Sequence, residues 1–270
     1  AGPLMSNPRS NARAILKEWG IKNFRVIDKE AISEITLGAS ILATGGGGDP
    51  EIGLLWTYKV IDEGKEILMV DPMDVPDDIQ TASTACLGAA IVLTEKPPSG
   101  EVLNLAMGRL EQYLGKPIQA TIPLECGGVN SPVSYAAAGE LGVPVIDVDG
   151  MNRAFPELQM TSWVTHGVHS SPTVSVDNRK NVTVIDTGDD DVLAETLARR
   201  VAMAYGGISW IATYPLTGKQ VKETSILYSQ SIAWAVGRAV MRARREHLDP
   251  IEELLKSLKK ERNVEGFRVF

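Results

Sequence analysis

The segment PIQATIPLECGGVNSPVSYAAAGELGVPVIDVDG, residues 117–150, decides the fold. Its apolar stretches at 117–124 and 144–149 are typical of buried strands, and the small-residue stretch between them predicts a helix that ends at Gly142. A strand, a helix and a second strand in this order form a parallel unit with a right-handed crossover. The sequence therefore predicts an α/β fold with a mainly parallel sheet covered by helices.

The flanking sequence extends this pattern in both directions. Toward the N-terminus we predict helices at 8–20, 26–44, 50–64 and 101–115 and a strand at 66–72. Toward the C-terminus we predict a β-hairpin at 173–186, helices at 189–206, 223–248 and 249–263, and strands at 207–216 and 266–270. The expected organisation is a tag and N-terminal helix (1–25), an α/β domain (26–165), and a second α/β subdomain that contains the hairpin (166–270).

Composition and charge exclude several classes of protein. The net charge of −7 provides no basic surface for nucleic acid or an anionic membrane. No apolar run approaches the roughly 20 residues that span a bilayer. Two cysteines, Cys86 and Cys126, form no disulfide framework, and no secretory signal is visible. We therefore expect a cytoplasmic protein.

Four consecutive glycines, Gly45 to Gly48, precede Asp49 and Pro50. A phosphate-binding loop needs a strand before it, whereas the segment before these glycines predicts a helix, so a nucleotide site is disfavoured. Two interpretations remain. The glycines form a hinge between two helices, or their bare backbone lies against a ligand or a neighbouring strand, since each glycine is costly to order. Gly46 and Gly47 are thus candidate substrate-binding residues.

Polar side chains follow the two strands of the opening segment. Ligands of open α/β sheets gather beyond the carboxyl ends of the strands, so we expect these side chains to converge in one cleft there, although the acids also suit helix caps or a pair with arginine. A base that activates water is available among the carboxylates, and the glycines allow close approach of backbone N–H groups to an oxyanion. The candidate catalytic residues here are Glu125, Asp147 and Asp149, and the candidate substrate-binding residues are Gly127, Gly128, Asn130 and Arg153.

Two further segments carry candidate residues. His166 and His169 are either loop histidines held by backbone carbonyls, or a general base (His166) and ligands, with Asp149, of a divalent metal such as zinc. Thr217 and Lys219 either contact an anionic substrate or belong to a turn.

Three segments carry a family resemblance: LATGGGGDPEIG, PLECGGVNSPVSYAAAGELGVPVIDVDGMNRAFPELQM and YPLTGKQVK. Together they resemble the DUF917 family, described as S-methyl-thiohydantoin desulfurase-like and found beside or fused to hydantoinase/oxoprolinase proteins. The resemblance covers about residues 26 to 240. It implies hydrolysis of a five-membered cyclic amide, and a β-rich C-terminal portion that we expect to be absent from this chain.

Two hypotheses of function follow. The first is a hydrolase acting on a cyclic amide such as a thiohydantoin or hydantoin. The second is a non-catalytic subunit or small-molecule binding module that partners a hydantoinase/oxoprolinase-type protein. In either case we expect a homo-oligomer that contacts neither nucleic acid nor membrane.

Overall fold

The structure is a computed structural model, and it describes residues 11–89, 91–95 and 100–261. The predicted strand at 266–270 lies outside these residues. The helices are α1 (Ala12–Glu18), α2 (Lys29–Leu42), α3 (Pro50–Asp62), α4 (Val92–Glu95), α5 (Gly100–Leu114), α6 (Asn130–Leu141), α7 (Ser162–Thr165), α8 (Asp191–Ala204), α9 (Gly218–Thr224), α10 (Ser229–Glu246) and α11 (Pro250–Glu261). A 3₁₀ turn spans Pro72–Asp74.

The strands form one large sheet and one small one. They are β1 (Arg25–Val26), β2 (Leu68–Val70), β3 (Thr81–Gly88), β4 (Ala120–Pro123), β5 (Val145–Ile146), β6 (Val148–Asp149), β7 (Thr173–Val176), β8 (Val182–Ile185), β9 (Ile208–Thr213) and β10 (Ile226–Leu227). The large sheet has the order β1-β2-β5-β4-β3-β9-β7-β8, and β10 pairs with β6 in the small one.

The centre of the large sheet is parallel, as the opening segment predicts. β4 pairs in parallel with β5 and with β3, and β5 pairs in parallel with β2. The remaining strands are antiparallel to their neighbours, and β7 and β8 form the predicted hairpin. Strands from both sides of residue 165 thus share one sheet, and the division of the chain at that position stays a prediction.

Helices cover both faces of the sheet, because alternate side chains of each strand point to opposite faces. Met69 of β2 packs in one apolar cluster with residues of α2, α3, α5 and α6. Its neighbours Leu68 and Val70 pack in a second cluster with residues of α1, α8 and α9. Within the described ranges, no helix is both long and apolar enough to cross a bilayer.

Two predicted elements differ from the structure. The strand expected at 144–149 divides at Asp147, whose N–H bonds to Val70 while its carbonyl accepts from Tyr228. The chain then leaves the large sheet, and Val148 and Asp149 pair with β10. For the same reason the helix expected at 223–248 is interrupted by β10 and begins again at Ser229.

Candidate functional site

A cavity of about 290 Å³ opens at the carboxyl ends of β3 and β4. Gly47 and Gly48 form one wall, and the segment 155–158 forms another. Glu125, the second residue after β4, lies in the cavity with Asn130, the first residue of α6. This is the edge of the sheet where ligands of α/β proteins bind.

Asn130 holds the Glu125 carboxylate against the end of β3. Its Nδ2 donates to Glu125 Oε1 at 2.7 Å, and its Oδ1 accepts from the N–H of Cys86 at 2.8 Å. The second carboxylate oxygen, Oε2, accepts from the N–H of Phe155 at 2.9 Å. Two donors therefore fix the plane of the carboxylate at the inner end of the cavity.

The Glu125 carboxyl titrates near neutrality. It is only 4% exposed, and burial raises its pKa to about 7. The bonds from Asn130 and Phe155 oppose this rise, the Asp149 charge adds to it, and the Arg199 charge opposes it. A carboxyl with a pKa close to the ambient pH is suited to accept and return a proton during a reaction.

The glycine run packs backbone to backbone against the loop that follows β4. The carbonyl of Gly47 accepts from the N–H of Val129 at 2.7 Å. A Cβ on Gly47 would lie 2.5 Å from the Cα of Gly127, and a Cβ on Gly128 would lie 2.2 Å from the carbonyl oxygen of Gly48. Side chains on either loop would separate the two, so this contact requires glycine on both.

The glycine run has features of both interpretations, and its contact with a substrate stays a prediction. It joins α2 to α3, and Asp49 caps α3 by accepting from the N–H of Glu51, so it connects two helices. Its bare backbone also lies against a neighbouring loop and, at Gly47 and Gly48, along the cavity. Gly46 instead approaches the side chain of Ala154.

Asp149 is fully buried beside Cys126 and does not line the cavity. Its Oδ1 accepts from the N–H groups of Asn152 at 2.7 Å and Met151 at 3.1 Å. Burial raises the pKa of Asp149 to about 6 and raises that of the Cys126 thiol. Asp149 therefore acts on Glu125 by its charge from within the protein, and the expectation that it faces the cleft is wrong.

Asp147 lies at a different cavity, beyond β2 and β5. Its Oδ1 accepts from the N–H of Ser231 at 2.9 Å, and the Ser231 hydroxyl donates to its Oδ2. Burial raises the pKa of Asp147, and the two Ser231 bonds oppose the rise. The expected single cleft that contains Glu125, Asp147 and Asp149 is thus divided, because the strand bends between the two aspartates.

Arg153 and the two histidines do not line the cavity that contains Glu125. Arg153 is exposed, and its Nε donates to the carbonyl of Ala154 at 3.2 Å. The Nδ1 of His166 lies 2.7 Å from the carbonyl oxygen of Ser162, and that of His169 lies 2.8 Å from Asp191 Oδ2. Among the described residues, no cluster of three or more His, Cys, Asp or Glu side chains has an arrangement suited to a metal. The expected set of His166, His169 and Asp149 is therefore not assembled.

Thr217 and Lys219 lie at the opposite edge of the sheet. β9 is antiparallel to β3, so its end at Thr213 lies beside the beginning of β3. Thr217 caps α9 together with Gln220, and Lys219 Nζ lies 3.8 Å from Glu223. The segment thus begins a short helix, and a contact of Thr217 and Lys219 with an anionic substrate stays a prediction.

Arg199 is a cavity residue that the sequence analysis missed. Its guanidinium pairs with Glu195 and donates to the carbonyl of Pro156 at 2.5 Å, and Glu195 accepts from the N–H of Leu158 at 3.0 Å. The pair thus holds the 155–158 wall in place. Glu195 and Arg199 are four residues apart on one helix, and this spacing indicates an ion pair between them.

Three comparisons with known proteins bear on the chain. The model of the S-Me-THD-like N-terminal domain matches residues 30–187, and that of the S-Me-THD-like C-terminal domain matches residues 189–270. These matches confirm the family resemblance. They correct the expectation that the C-terminal portion is absent, since its model begins at residue 189.

The other two comparisons concern individual proteins. A search of curated proteins finds no match. The crystal structure of a protein from Chromobacterium violaceum is similar, with a TM-score of 0.74 and 21% sequence identity, over 89% of this chain and 66% of that one. At this identity the similarity shows the fold alone.

Proposed function

The chain belongs to the S-Me-THD-like family, and from this premise we propose that it is a hydrolase with a thiohydantoin desulfurase-like activity. The observation that carries the proposal is Glu125, a carboxyl with a pKa of about 7 held at the inner end of a cavity of about 290 Å³. Both the size of the cavity and its position beyond the strands suit a small ring.

In the proposed reaction Glu125 is the general base. Its carboxylate accepts a proton from a water molecule, whose oxygen attacks the ring carbon that bears sulfur in an S-methyl-thiohydantoin. The C–S bond then breaks, and the proton held by Glu125 passes to the sulfur, which gives methanethiol and a hydantoin. Gly47 and Gly48 are the proposed source of backbone N–H donors for charge that develops on the substrate.

The test is turnover of S-methyl-thiohydantoin and of hydantoin by the purified protein. We expect methanethiol release, and a loss of about a hundredfold or more in Glu125→Gln, since general base catalysis typically contributes that much. Glu18→Gln, on the exposed face of α1, is the matched control. Full activity of Glu125→Gln, or a wild-type protein that releases no methanethiol from S-methyl-thiohydantoin, contradicts the proposal.

A binding module that partners a hydantoinase-type protein is the second candidate function. It is favoured by the apolar side chains that α8 exposes, namely Val192, Leu193, Leu197 and Met203. Hydantoin binding by calorimetry without any turnover would support this alternative.

A further inference from the structure

A second cavity of about 470 Å³ opens at the same edge of the sheet, beyond β2 and β5. Its walls are the segment that leads into β1, the 3₁₀ turn after β2, and the first turn of α10. The proposed reaction at Glu125 uses none of these residues.

Charges of both signs line this cavity. Lys22 and Arg25 contribute the cations, and Asp71 and Asp74 contribute the anions; all four side chains are exposed. The buried Asp147 adds a third carboxyl, and the charge of Arg25 opposes the rise of its pKa. Over the described ranges, none of the four forms an ion pair, although all lie around one cavity. Opposite charges that form no direct ion pair with each other leave the cavity able to bind a ligand that carries both signs.

Two of these four side chains are held in place by neighbours. Arg25 Nη1 donates to Ser231 Oγ at 3.2 Å, and its guanidinium lies over the Trp234 ring at 5.3 Å. Tyr228 donates from its hydroxyl to Asp71 Oδ1 at 3.2 Å. One oxygen of Asp71 is thus occupied, whereas Asp74 has no side-chain hydrogen bond to any described residue. Arg25 is therefore oriented by its neighbours without an ion pair among the described residues, and the Asp74 carboxylate is open. These two charged groups are the ones best placed to bind a ligand.

The buried part of the cavity is apolar or already satisfied. Both oxygens of Asp147 are bonded to Ser231. Phe24 is partly exposed and supplies apolar surface, whereas Met69 and Val70 are each only 2% exposed. A ligand with two charged groups and an apolar remainder matches this distribution, since charged groups need partners and an apolar group gains from burial.

We propose that this second cavity binds a free α-amino acid with an apolar side chain. Arg25 binds the carboxylate, which its planar guanidinium suits. Asp74 and the open oxygen of Asp71 bind the ammonium, and the side chain lies against Phe24. This proposal does not depend on the proposed reaction, because it concerns other residues and is tested by binding.

The experiment is calorimetric titration of the full chain with L-leucine and with two analogues that each lack one charge. The analogues are 4-methylpentanoate, which has no ammonium, and 3-methylbutylamine, which has no carboxylate. We expect leucine to bind at least about tenfold more tightly than either analogue, since each analogue leaves one charged wall unpaired. Equal binding of leucine and one analogue, or no binding of leucine, overturns the proposal.

Variants locate the site. Asp74→Asn and Arg25→Gln should each weaken leucine binding by about tenfold. Asp78→Asn removes an exposed carboxylate outside the cavity and should leave binding unchanged. If Arg25→Gln lowers the stability of the protein through its lost contact with Trp234, the leucine affinity of Asp74→Asn is the result that tests the proposal. Unchanged leucine binding in Asp74→Asn, or equal weakening in Asp78→Asn, contradicts the assignment.

Discussion

Asn130 joins Glu125 to the backbone of β3 through a hydrogen bond of 2.7 Å to the carboxylate and one of 2.8 Å from Cys86. The same side chain thus donates to the proposed base and accepts from the strand next to it. The orientation of the carboxylate is therefore tied to the pairing of β3 and β4, and not to the rotamer of Glu125 alone.

The protonation state of Glu125 should determine how kcat/KM depends on pH. Because a general base must be unprotonated, kcat/KM should increase with pH through an apparent pKa of about 7. In Asp149→Asn the neighbouring negative charge that raises this pKa is removed, so the increase should occur at lower pH. A pH–rate profile of both proteins checks this. An unchanged midpoint in Asp149→Asn would show that the two carboxyls are not coupled.

Replacement of Asn130 by Asp should shift the same profile in the opposite direction. The variant removes the donor to Glu125 and places a second carboxyl beside it, and like charges raise a carboxyl pKa. We expect the increase in kcat/KM to occur at higher pH than in the wild type. A profile that coincides with the wild type would contradict the role given to Asn130.

Gly128→Ala should destabilise the protein by about 2 kcal/mol. The new Cβ would lie 2.2 Å from the carbonyl oxygen of Gly48, so the two glycine loops must separate. Gly108→Ala is the control, because Gly108 lies in α5 with nothing within 4 Å of a Cβ. That change should stabilise by about 0.5–1 kcal/mol. Urea unfolding measures both, and equal effects would reject the close contact of the loops.

Stability should decrease as the pH rises from about 4 to about 7. Burial raises the pKa of Glu125 from 4.5 to about 7 and that of Asp149 from 3.8 to about 6. Between the ordinary and the raised pKa, the folded protein keeps a proton that the unfolded chain has lost, so raising the pH favours unfolding. The free energy of unfolding at pH 5 and pH 8 tests this. The difference should be smaller in the double variant Glu125→Gln, Asp149→Asn, and a difference equal to the wild type would refute the assignment.

The sequence by itself determined the α/β class, the parallel pairing of the strands at 117–124 and 144–149, and the helices on both sides of the glycine run. These depend on local apolar periodicity and on the residues that begin and end helices, which a sequence displays directly. It also placed Glu125 and Asn130 at the edge of the sheet where a cavity is found, since that position follows from the order of the elements.

Only the tertiary structure decided which polar residues share a cavity. The chain bends at Asp147 because β6 pairs with β10, some 77 residues further on, so Asp147 and Asp149 separate although they are two residues apart. Arg199 reaches the cavity from α8, and Thr217 lies at the far edge because β9 runs antiparallel to β3. These outcomes depend on contacts between segments distant in sequence, which local patterns do not encode. The loss of solvent that raises the pKa of Glu125 likewise exists only in the folded chain.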